Sequence, residues 1–205
     1  MKVKNVLIVY TKPLSEEEKL TLDSVEKTRR GNFSPEGLRG FDLKDRTLGV
    51  IGTGHIGQHV LRMAKGFEMK LLAYDVKKDM RMAKKLGFRY VSLPTLLSQS
   101  DIVTLHCPYN PYTHHIINKD NIKKMRKGSY LINTARGGLV DTEALLKALN
   151  NKQLAGAGID VLEEEIAIKE EKQLLSRHFK SNLMTVLSNH MLLNDPRVII
   201  TPHNA

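Results

Sequence analysis

The segment from Thr47 to Asp75 most constrains the fold, because it reads as strand, glycine turn, helix and second strand in that order. Leu48, Val50 and Ile51 form a short apolar run with no polar alternation, as expected of a parallel strand covered on both faces. The glycine turn follows this run directly, and the partner strand is Lys70 to Tyr74. The segment therefore predicts a βαβ unit.

Three glycines in this unit, Gly52, Gly54 and Gly57, have the spacing G-x-G-x-x-G. The first lets the chain turn sharply, the second removes a side chain where a pyrophosphate must approach the backbone, and the third lets the helix lie close to the sheet. The helix that follows would offer its free N–H groups to the pyrophosphate. The turn is therefore typical of a dinucleotide-binding site.

The helix itself is indicated by an apolar stripe. The stripe consists of Ile56, Val60, Met63, Ala64 and Phe67, which recur at helical spacing. We expect these side chains to face the sheet.

Asp75 ends the second strand, 18 residues (75 − 57) beyond Gly57. A carboxylate near this spacing accepts hydrogen bonds from the adenosine ribose hydroxyls. A 2′-phosphate would meet it as a like charge, although Lys77 and Lys78 would offset part of that repulsion. The sequence therefore favours NAD over NADP.

Size and composition limit the class of protein. The 205 residues suffice for one full α/β domain with a large core. The net charge is +10, but the basic residues are spread in short pairs without interleaved aromatic residues, so we expect no nucleic-acid partner. Cys107 is the only cysteine, and the apolar stretch Val6 to Tyr10 is too short for a signal or membrane segment. These features predict a soluble cytoplasmic protein.

The rest of the chain continues the alternation of strands and helices. Before the βαβ unit we expect a strand at Asn5–Tyr10, a helix at Ser15–Lys27 and a glycine-containing arm or hinge at residues 28–45. Further helices are predicted near Asp79–Leu86, Pro94–Ser98, Asn118–Met125, Asp141–Asn150, Lys169–Arg177 and Leu183–Leu192, and further strands at Arg89–Val91, Ile102–Leu105, Tyr130–Asn133, Ala155–Asp160 and Val198–Ile200. This pattern predicts an α/β fold with a doubly wound parallel sheet of seven strands.

Polar residues follow the predicted strands, at the edge where such sheets bind ligands. They are His106-Cys107-Pro108, Thr134 to Gly138, Asp160 with Glu163, Glu164 and Glu165, and Thr201 to Asn204. Through these segments the chain resembles the coenzyme domain of the D-isomer-specific 2-hydroxyacid dehydrogenases, from about Thr28 to Ala205. The motifs that carry the resemblance are IGTGHIG, LHCPYNPYTHHIIN, LINTARGGLVDTEAL, AGAGIDVLEEE and ITPHNA.

The resemblance implies three catalytic residues. Arg136 would hold the substrate carboxylate through a bidentate pair and polarise the carbonyl. His203 would be the acid–base that exchanges the hydroxyl proton. Glu165 would pair with this histidine and fix its tautomer. Glu165 lies in a run of three glutamates, any of which could instead be solvated.

The resemblance also implies the coenzyme contacts, with NAD as cofactor and no metal. Beyond the three glycines they fall on His55, Ile56, Asp75, Cys107, Pro108, Thr113, Thr134, Ala135, Arg136 and Asp160. We interpret Cys107 as a small wall residue rather than a nucleophile, since nothing nearby in sequence would lower its pKa. His114, His115, His178 and His190 are interpreted as surface or packing residues, because none has metal-ligand spacing with a partner.

The resemblance further predicts the organisation of the chain. Residues 1–27 would be a remnant of an N-terminal substrate domain, 28–45 the arm and 46–205 the coenzyme domain, so that the substrate domain is largely missing. The 38 residues (203 − 165) between Glu165 and His203 resemble the lactate dehydrogenase type. D-lactate and pyruvate are the first substrate expectation, and a homodimer formed through the arm is expected.

Two alternatives are open. One is a non-catalytic NAD-binding interaction protein, similar to the corepressor branch of the same superfamily, which would need a peptide-docking cleft in the substrate domain. The other is a Rossmann reductase that uses NADP, which Asp75 disfavours.

Overall fold

The computed structural model describes residues 29–31, 41–163 and 187–201. The predicted strand Asn5–Tyr10 and the predicted helices Ser15–Lys27 and Lys169–Arg177 lie outside the described residues. So do the two predicted catalytic residues Glu165 and His203.

The described elements follow the predicted alternation. The strands are β1 (Thr47–Ile51), β2 (Lys70–Tyr74), β3 (Arg89–Tyr90), β4 (Ile102–Leu105), β5 (Ser129–Asn133), β6 (Leu154–Ile159) and β7 (Val198–Ile200). The helices are α1 (His55–Gly66), α2 (Met80–Leu86), α3 (Leu93–Gln99), α4 (Thr142–Asn150) and α5 (187–193), with 3₁₀ turns at Ile122–Lys124 and Gly137–Leu139.

All seven strands form one sheet in the order β3-β2-β1-β4-β5-β6-β7, and every neighbouring pair is parallel. The strand order reverses between β1 and β4, where Leu48 is paired with Ile102. Crevices for ligands open at such a reversal, beyond the carboxyl ends of the strands. The doubly wound parallel sheet predicted from the sequence is confirmed.

Two apolar cores cover the two faces of the sheet. Val50 and Ile51, which are 0% and 1% exposed, belong to different cores because successive side chains of a strand point to opposite faces. The Val50 core includes residues of α1 and α2, and the Ile51 core includes residues of α3 and α4. Burial on both faces explains the apolar runs of β1 and β4.

Side-chain caps fix where three helices begin. Asp79 accepts a hydrogen bond from the Met82 N–H at the start of α2, and Asp141 accepts one from Ala144 at the start of α4. Ser92 caps α3 in the same way. Such caps satisfy N–H groups that have no partner within the helix, so the polar residues before each apolar stretch locate these helix starts to within a residue or two.

The predicted apolar stripe of α1 was partly wrong. The buried residues are Gly57, Val60, Leu61 and Ala64, whereas Ile56 is 64% exposed and Phe67 37% exposed. Ile56 lies in the first turn, at the open end of the helix, and Phe67 is already the C-cap. The face that packs on the sheet is therefore set by the close approach of Gly57.

The helix predicted from Asn118 to Met125 was also wrong. The Asn118 carboxamide accepts hydrogen bonds from the Asp120 and Asn121 N–H groups, and only the 3₁₀ turn Ile122–Lys124 follows. The Asn121 side chain in turn accepts from the Asn118 N–H. Asparagine side chains that bond to nearby backbone compete with helix formation, and the chain re-extends at the buried Met125.

Candidate functional site

The glycine turn joins β1 to α1 at the point where the strand order reverses. Gly52 has a φ of 94°, and a Cβ at this position would lie 2.5 Å from the Cys107 backbone nitrogen. A Cβ on Gly57 would overlap the carbonyl oxygen of Gly52. The first glycine therefore permits the turn and the third permits close packing of the helix on that turn, as the spacing predicts.

The N-terminal end of α1 is open. Gly54 is the N-cap without a side-chain hydrogen bond, and the first turn holds no acidic residue. A Cβ on Gly54 would meet no atom within 4 Å, so space is present beside the backbone. His55 and Ile56 flank this space and are exposed. An anion such as a pyrophosphate fits here, because the free N–H groups and the helix dipole favour negative charge.

Asp75 follows β2 beside this turn. Its Oδ2 accepts hydrogen bonds from the Thr53 N–H at 2.6 Å and the Thr53 hydroxyl at 2.9 Å, and its Oδ1 accepts from the Lys77 N–H at 2.9 Å. Partial burial acts to raise the pKa of Asp75, but the hydrogen bonds from Thr53, Lys77 and Val76 outweigh it and lower the pKa. The carboxylate is therefore ionised and oriented at neutral pH.

His106 and Cys107 follow β4 and contact the glycine turn. Burial lowers the pKa of His106 to about 4, so its imidazole is neutral at pH 7. Burial, together with the negative charge of Asp75, raises the pKa of Cys107 to about 11. Cys107 is thus a protonated thiol, in agreement with its interpretation as a wall residue.

The loop after Cys107 is held by its own hydrogen bonds. The Thr113 hydroxyl donates to the Pro108 carbonyl at 2.7 Å and accepts from the Asn110 N–H at 2.8 Å. The predicted coenzyme contacts Pro108 and Thr113 therefore lie side by side. In this structure the Thr113 hydroxyl stabilises the loop.

Arg136 is presented by the loop after β5. The buried Asn133 side chain donates to the Arg136 carbonyl at 2.8 Å and accepts from the Ala135 N–H at 3.1 Å, which also fixes Thr134 between them. The Arg136 guanidinium is exposed and donates to the Ala135 carbonyl at 2.6 Å. Within the described residues it forms no salt bridge.

Two glycines hold the Arg136 loop against its neighbours. A Cβ on Gly137 would overlap the Leu162 carbonyl, and one on Gly138 would lie 2.7 Å from the Tyr109 ring. The loop after β5 therefore packs directly on the segments that follow β4 and β6. This contact explains the pair of glycines after Arg136.

Asp160 joins the ends of three strands. It is 4% exposed, accepts a hydrogen bond from the Thr201 hydroxyl, and donates its backbone N–H to the Asn133 carbonyl at 3.0 Å. Thr201 follows β7 and donates its N–H to the Ile159 carbonyl at 3.0 Å. The described chain ends at Thr201, two residues (203 − 201) before the predicted acid–base His203.

Glu163 is not a solvated member of the glutamate run. Its Oε1 accepts from His115 Nε2 at 2.5 Å, and its Oε2 accepts from the Thr142 hydroxyl at 2.7 Å. The Asn189 side chain donates to the Glu163 carbonyl at 2.7 Å. Glu163 thus links four segments of the chain, and His115 is a packing residue, one of the two roles expected for it.

The structure places the described site residues together at the carboxyl edge of the sheet. Two contributors, Thr53 and Tyr90, were missed from the sequence, and Glu163 was named there only as one of three glutamates. The position of Thr53 between the first two glycines could have indicated its role, whereas the contacts of Tyr90 and Glu163 depend on strand order. Within 29–31, 41–163 and 187–201 no group of three potential metal ligands occurs, and none of the helices there could span a membrane.

Comparison with known proteins agrees with this geometry. The family model of the D-isomer-specific 2-hydroxyacid dehydrogenase NAD-binding domain matches residues 18–205 of this sequence. D-lactate dehydrogenase of Escherichia coli is 46% identical over 140 residues, which are 68% of this chain and 42% of that protein. A 2-hydroxyacid dehydrogenase homolog of Zymomonas mobilis is 41% identical over 187 residues, 88% of this chain and 53% of that protein.

A solved structure shares the fold. The D-lactate dehydrogenase of Aquifex aeolicus, crystallised with NAD and lactic acid, superposes with a TM-score of 0.76 at 39% identity, over 90% of this chain and 54% of that one. The chain thus spans about half the length of the relatives it matches. It belongs to the D-isomer-specific 2-hydroxyacid dehydrogenases and carries their NAD-binding domain.

Proposed function

We propose that this chain binds NAD for reversible hydride transfer to and from C2 of a 2-hydroxy acid, with D-lactate and pyruvate as the substrate pair. The observation that carries the proposal is the position of the glycine turn and Asp75 on the same sheet edge as Arg136. The relatives named above are dehydrogenases, and no observation favours the non-catalytic interaction protein.

The coenzyme is assigned to the crevice above β1 and β4. The pyrophosphate is assigned to Gly54, His55 and Ile56, where the uncapped helix end offers N–H donors. The adenosine ribose is assigned to Asp75, and the remaining predicted contacts are Cys107, Pro108, Thr113, Thr134, Ala135, Arg136 and Asp160. When bound, NAD supplies the nicotinamide carbon that accepts or donates hydride.

Arg136 is assigned to the substrate carboxylate. Its exposed guanidinium is bonded only to a neutral carbonyl within the described residues, and it can form two parallel hydrogen bonds to a carboxylate. Lysine cannot reproduce this geometry. A cation beside the substrate carbonyl also stabilises the negative charge that develops on oxygen as hydride arrives.

The acid–base is assigned to His203, with Glu165 as its partner. In the direction of ketone reduction, the substrate oxygen takes a proton from the imidazole as C2 takes hydride, and oxidation reverses both transfers. His106 is a poor candidate for this role, because burial lowers its pKa to about 4 and its ring is therefore not the imidazolium form at neutral pH.

Assembly and location are part of the proposal. The arm at residues 28–45 is proposed to form a homodimer, and the cytoplasm is the proposed compartment. Gel filtration that gives only monomer over a range of concentrations would contradict the dimer.

Titration of the purified chain with NADH and, separately, NADPH tests the coenzyme assignment, with binding followed by coenzyme fluorescence. Saturable NADH binding is expected, and Asp75→Ala should weaken it about 10- to 100-fold, the effect of losing hydrogen bonds to a charged group. Asp120→Ala, which removes an exposed aspartate 4.0 Å from Lys123, is the matched control and should bind like the wild type. A folded chain that binds no NADH would contradict the proposal.

A further inference from the structure

A chain of hydrogen bonds runs from the start of α2 to Asp75. The Asp79 N–H lies 3.1 Å from the Tyr90 phenol oxygen, which lies 2.9 Å from the Thr53 hydroxyl oxygen. The Thr53 hydroxyl lies 2.9 Å from Asp75 Oδ2, and the Thr53 N–H lies 2.6 Å from the same oxygen. This hydroxyl chain connects segments that follow or belong to β1, β2 and β3.

The direction of every hydrogen in the hydroxyl chain is fixed by its two ends. An ionised carboxylate can only accept, so the Thr53 hydroxyl must donate to Asp75. Thr53 then accepts from the Tyr90 hydroxyl, which has only one hydrogen to give. Tyr90 in turn accepts from the Asp79 N–H. All donors therefore point towards Asp75.

The members of the hydroxyl chain are held in place by separate contacts. Thr53 is 7% exposed, and the Tyr90 ring packs edge-on against Phe88 with centroids 5.1 Å apart. Asp79 is fixed as the cap of α2 by its bond to Met82. Contacts outside the hydroxyl chain thus hold its members in place.

The hydroxyl chain distinguishes the two oxygens of Asp75. Oδ2 accepts two hydrogen bonds, both from Thr53, whereas Oδ1 accepts from the Lys77 N–H at 2.9 Å. The carboxylate cannot rotate without breaking these bonds. Thr53 therefore occupies Oδ2 with both of its hydrogen bonds and leaves Oδ1 to the Lys77 N–H and to a ligand.

We propose that Thr53 and Tyr90 are positioning residues that set coenzyme specificity: they hold Asp75 with Oδ1 turned towards the adenosine ribose, so that NADH is bound and NADPH rejected. This inference rests on the proposed function, which assigns the ribose to Asp75. A carboxylate that is already held in place loses no further conformational freedom when a ribose hydroxyl binds to it. The same fixed charge cannot turn away from a 2′-phosphate, so it opposes NADPH.

The test compares NADH and NADPH titrations of Tyr90→Phe and Thr53→Val. Both substitutions keep shape and remove the hydroxyl, and each should weaken NADH binding about 3- to 10-fold, part of the effect of a hydrogen bond to a charged group. NADPH binding should weaken less or improve, so that the NADH preference falls. Thr53→Ser restores the hydroxyl and should restore the preference.

Tyr130→Phe is the matched control, because Tyr130 is also a sheet tyrosine packed on a phenylalanine, Phe41, at 5.3 Å. It should leave both affinities unchanged. If Tyr90→Phe and Thr53→Val weaken the binding of NADH and NADPH equally, the two residues have a merely structural role. If both variants bind with wild-type affinities, the two residues have no role in coenzyme binding. Either result would overturn the inference. Failure of the wild type to bind NADH would overturn the proposed function as well.

Discussion

Gly57→Ala should destabilise the domain, although alanine is normally the better helix former. Gly57 lies in the first turn of α1 and is buried. A Cβ there would overlap the Gly52 carbonyl oxygen and lie 3.1 Å from the Gly52 carbonyl carbon and 3.4 Å from Val50 Cγ1. Two of these atoms are backbone of the glycine turn, so neither can move without distorting it.

The size of the effect follows from two opposed terms. Replacing glycine by alanine within a helix stabilises by about 0.5 to 1 kcal/mol. Inserting a methyl group into a packed interior costs about 1 to 3 kcal/mol, occasionally more, because backbone must shift. Overlap with a backbone carbonyl places Gly57→Ala at the upper end of that cost, about 3 kcal/mol, so we expect a net loss of about 2 to 2.5 kcal/mol.

Gly66→Ala supplies the matched control on the same helix. Gly66 is exposed, and a Cβ there would meet no atom within 4 Å. The same chemical change should therefore stabilise the domain, by up to about 1 kcal/mol. Thermal unfolding followed by circular dichroism should separate the two variants by several degrees, since each kcal/mol shifts Tm by about 2 to 4 °C at this chain length.

NADH titration of the same variants completes the assay. Gly57→Ala should also weaken NADH binding, because a displaced α1 carries its N–H donors away from the turn. A Gly57→Ala variant as stable as Gly66→Ala would refute the reasoning that contact between α1 and the turn sets the helix position.

Two further predictions concern partly buried titratable groups. Because burial lowers the pKa of His106 from 6.5 to about 4, the unfolded chain binds a proton at higher pH than the folded chain. The free energy of unfolding should therefore fall by about 3 kcal/mol between about pH 7 and pH 4 because of His106. Urea unfolding at the two pH values should show this decrease in the wild type, and the decrease should be smaller by that amount in His106→Gln. Cys107, whose pKa is raised to about 11 from 9.0, should react with iodoacetamide at neutral pH about 100-fold more slowly than an ordinary thiol. It is the only cysteine, so labelling followed by mass spectrometry reports on it alone, and a rate like that of free cysteine would contradict its burial.

The sheet was predictable from the sequence because its signals are local. β1, the glycine turn, α1 and β2 follow one another directly along the chain, so spacing alone indicated that Asp75 belongs to the same predicted dinucleotide site as the glycine turn. Caps such as Asp79 and Asp141 act within three residues of their own position, and their helices begin within one residue of the predicted starts. Burial on both faces made the strands recognisable as apolar runs.

The errors arose where contacts between distant segments outweigh local pattern. Glu163 was indistinguishable from its neighbours in a run of three glutamates, because only the fold brings His115, 48 residues away, to its carboxylate. Asn118 is a plausible helix cap in sequence, but its bond to Asn121 closes a turn instead. Tyr90 lies in a strand of two residues, too short for periodicity to show which way its hydroxyl points.

The close approach of Gly52 to the Cys107 backbone nitrogen means that the floor of the proposed coenzyme crevice is main chain. The His106 N–H donates to the Ile51 carbonyl at 2.7 Å, which fastens the same two segments together. Substitutions at positions 106 and 107 can therefore alter the walls of the crevice while its depth stays the same. Sequence divergence or engineering at these two positions can retune what the crevice prefers, whereas a side chain at Gly52, or an insertion or deletion in either segment, would change how far a ligand enters it.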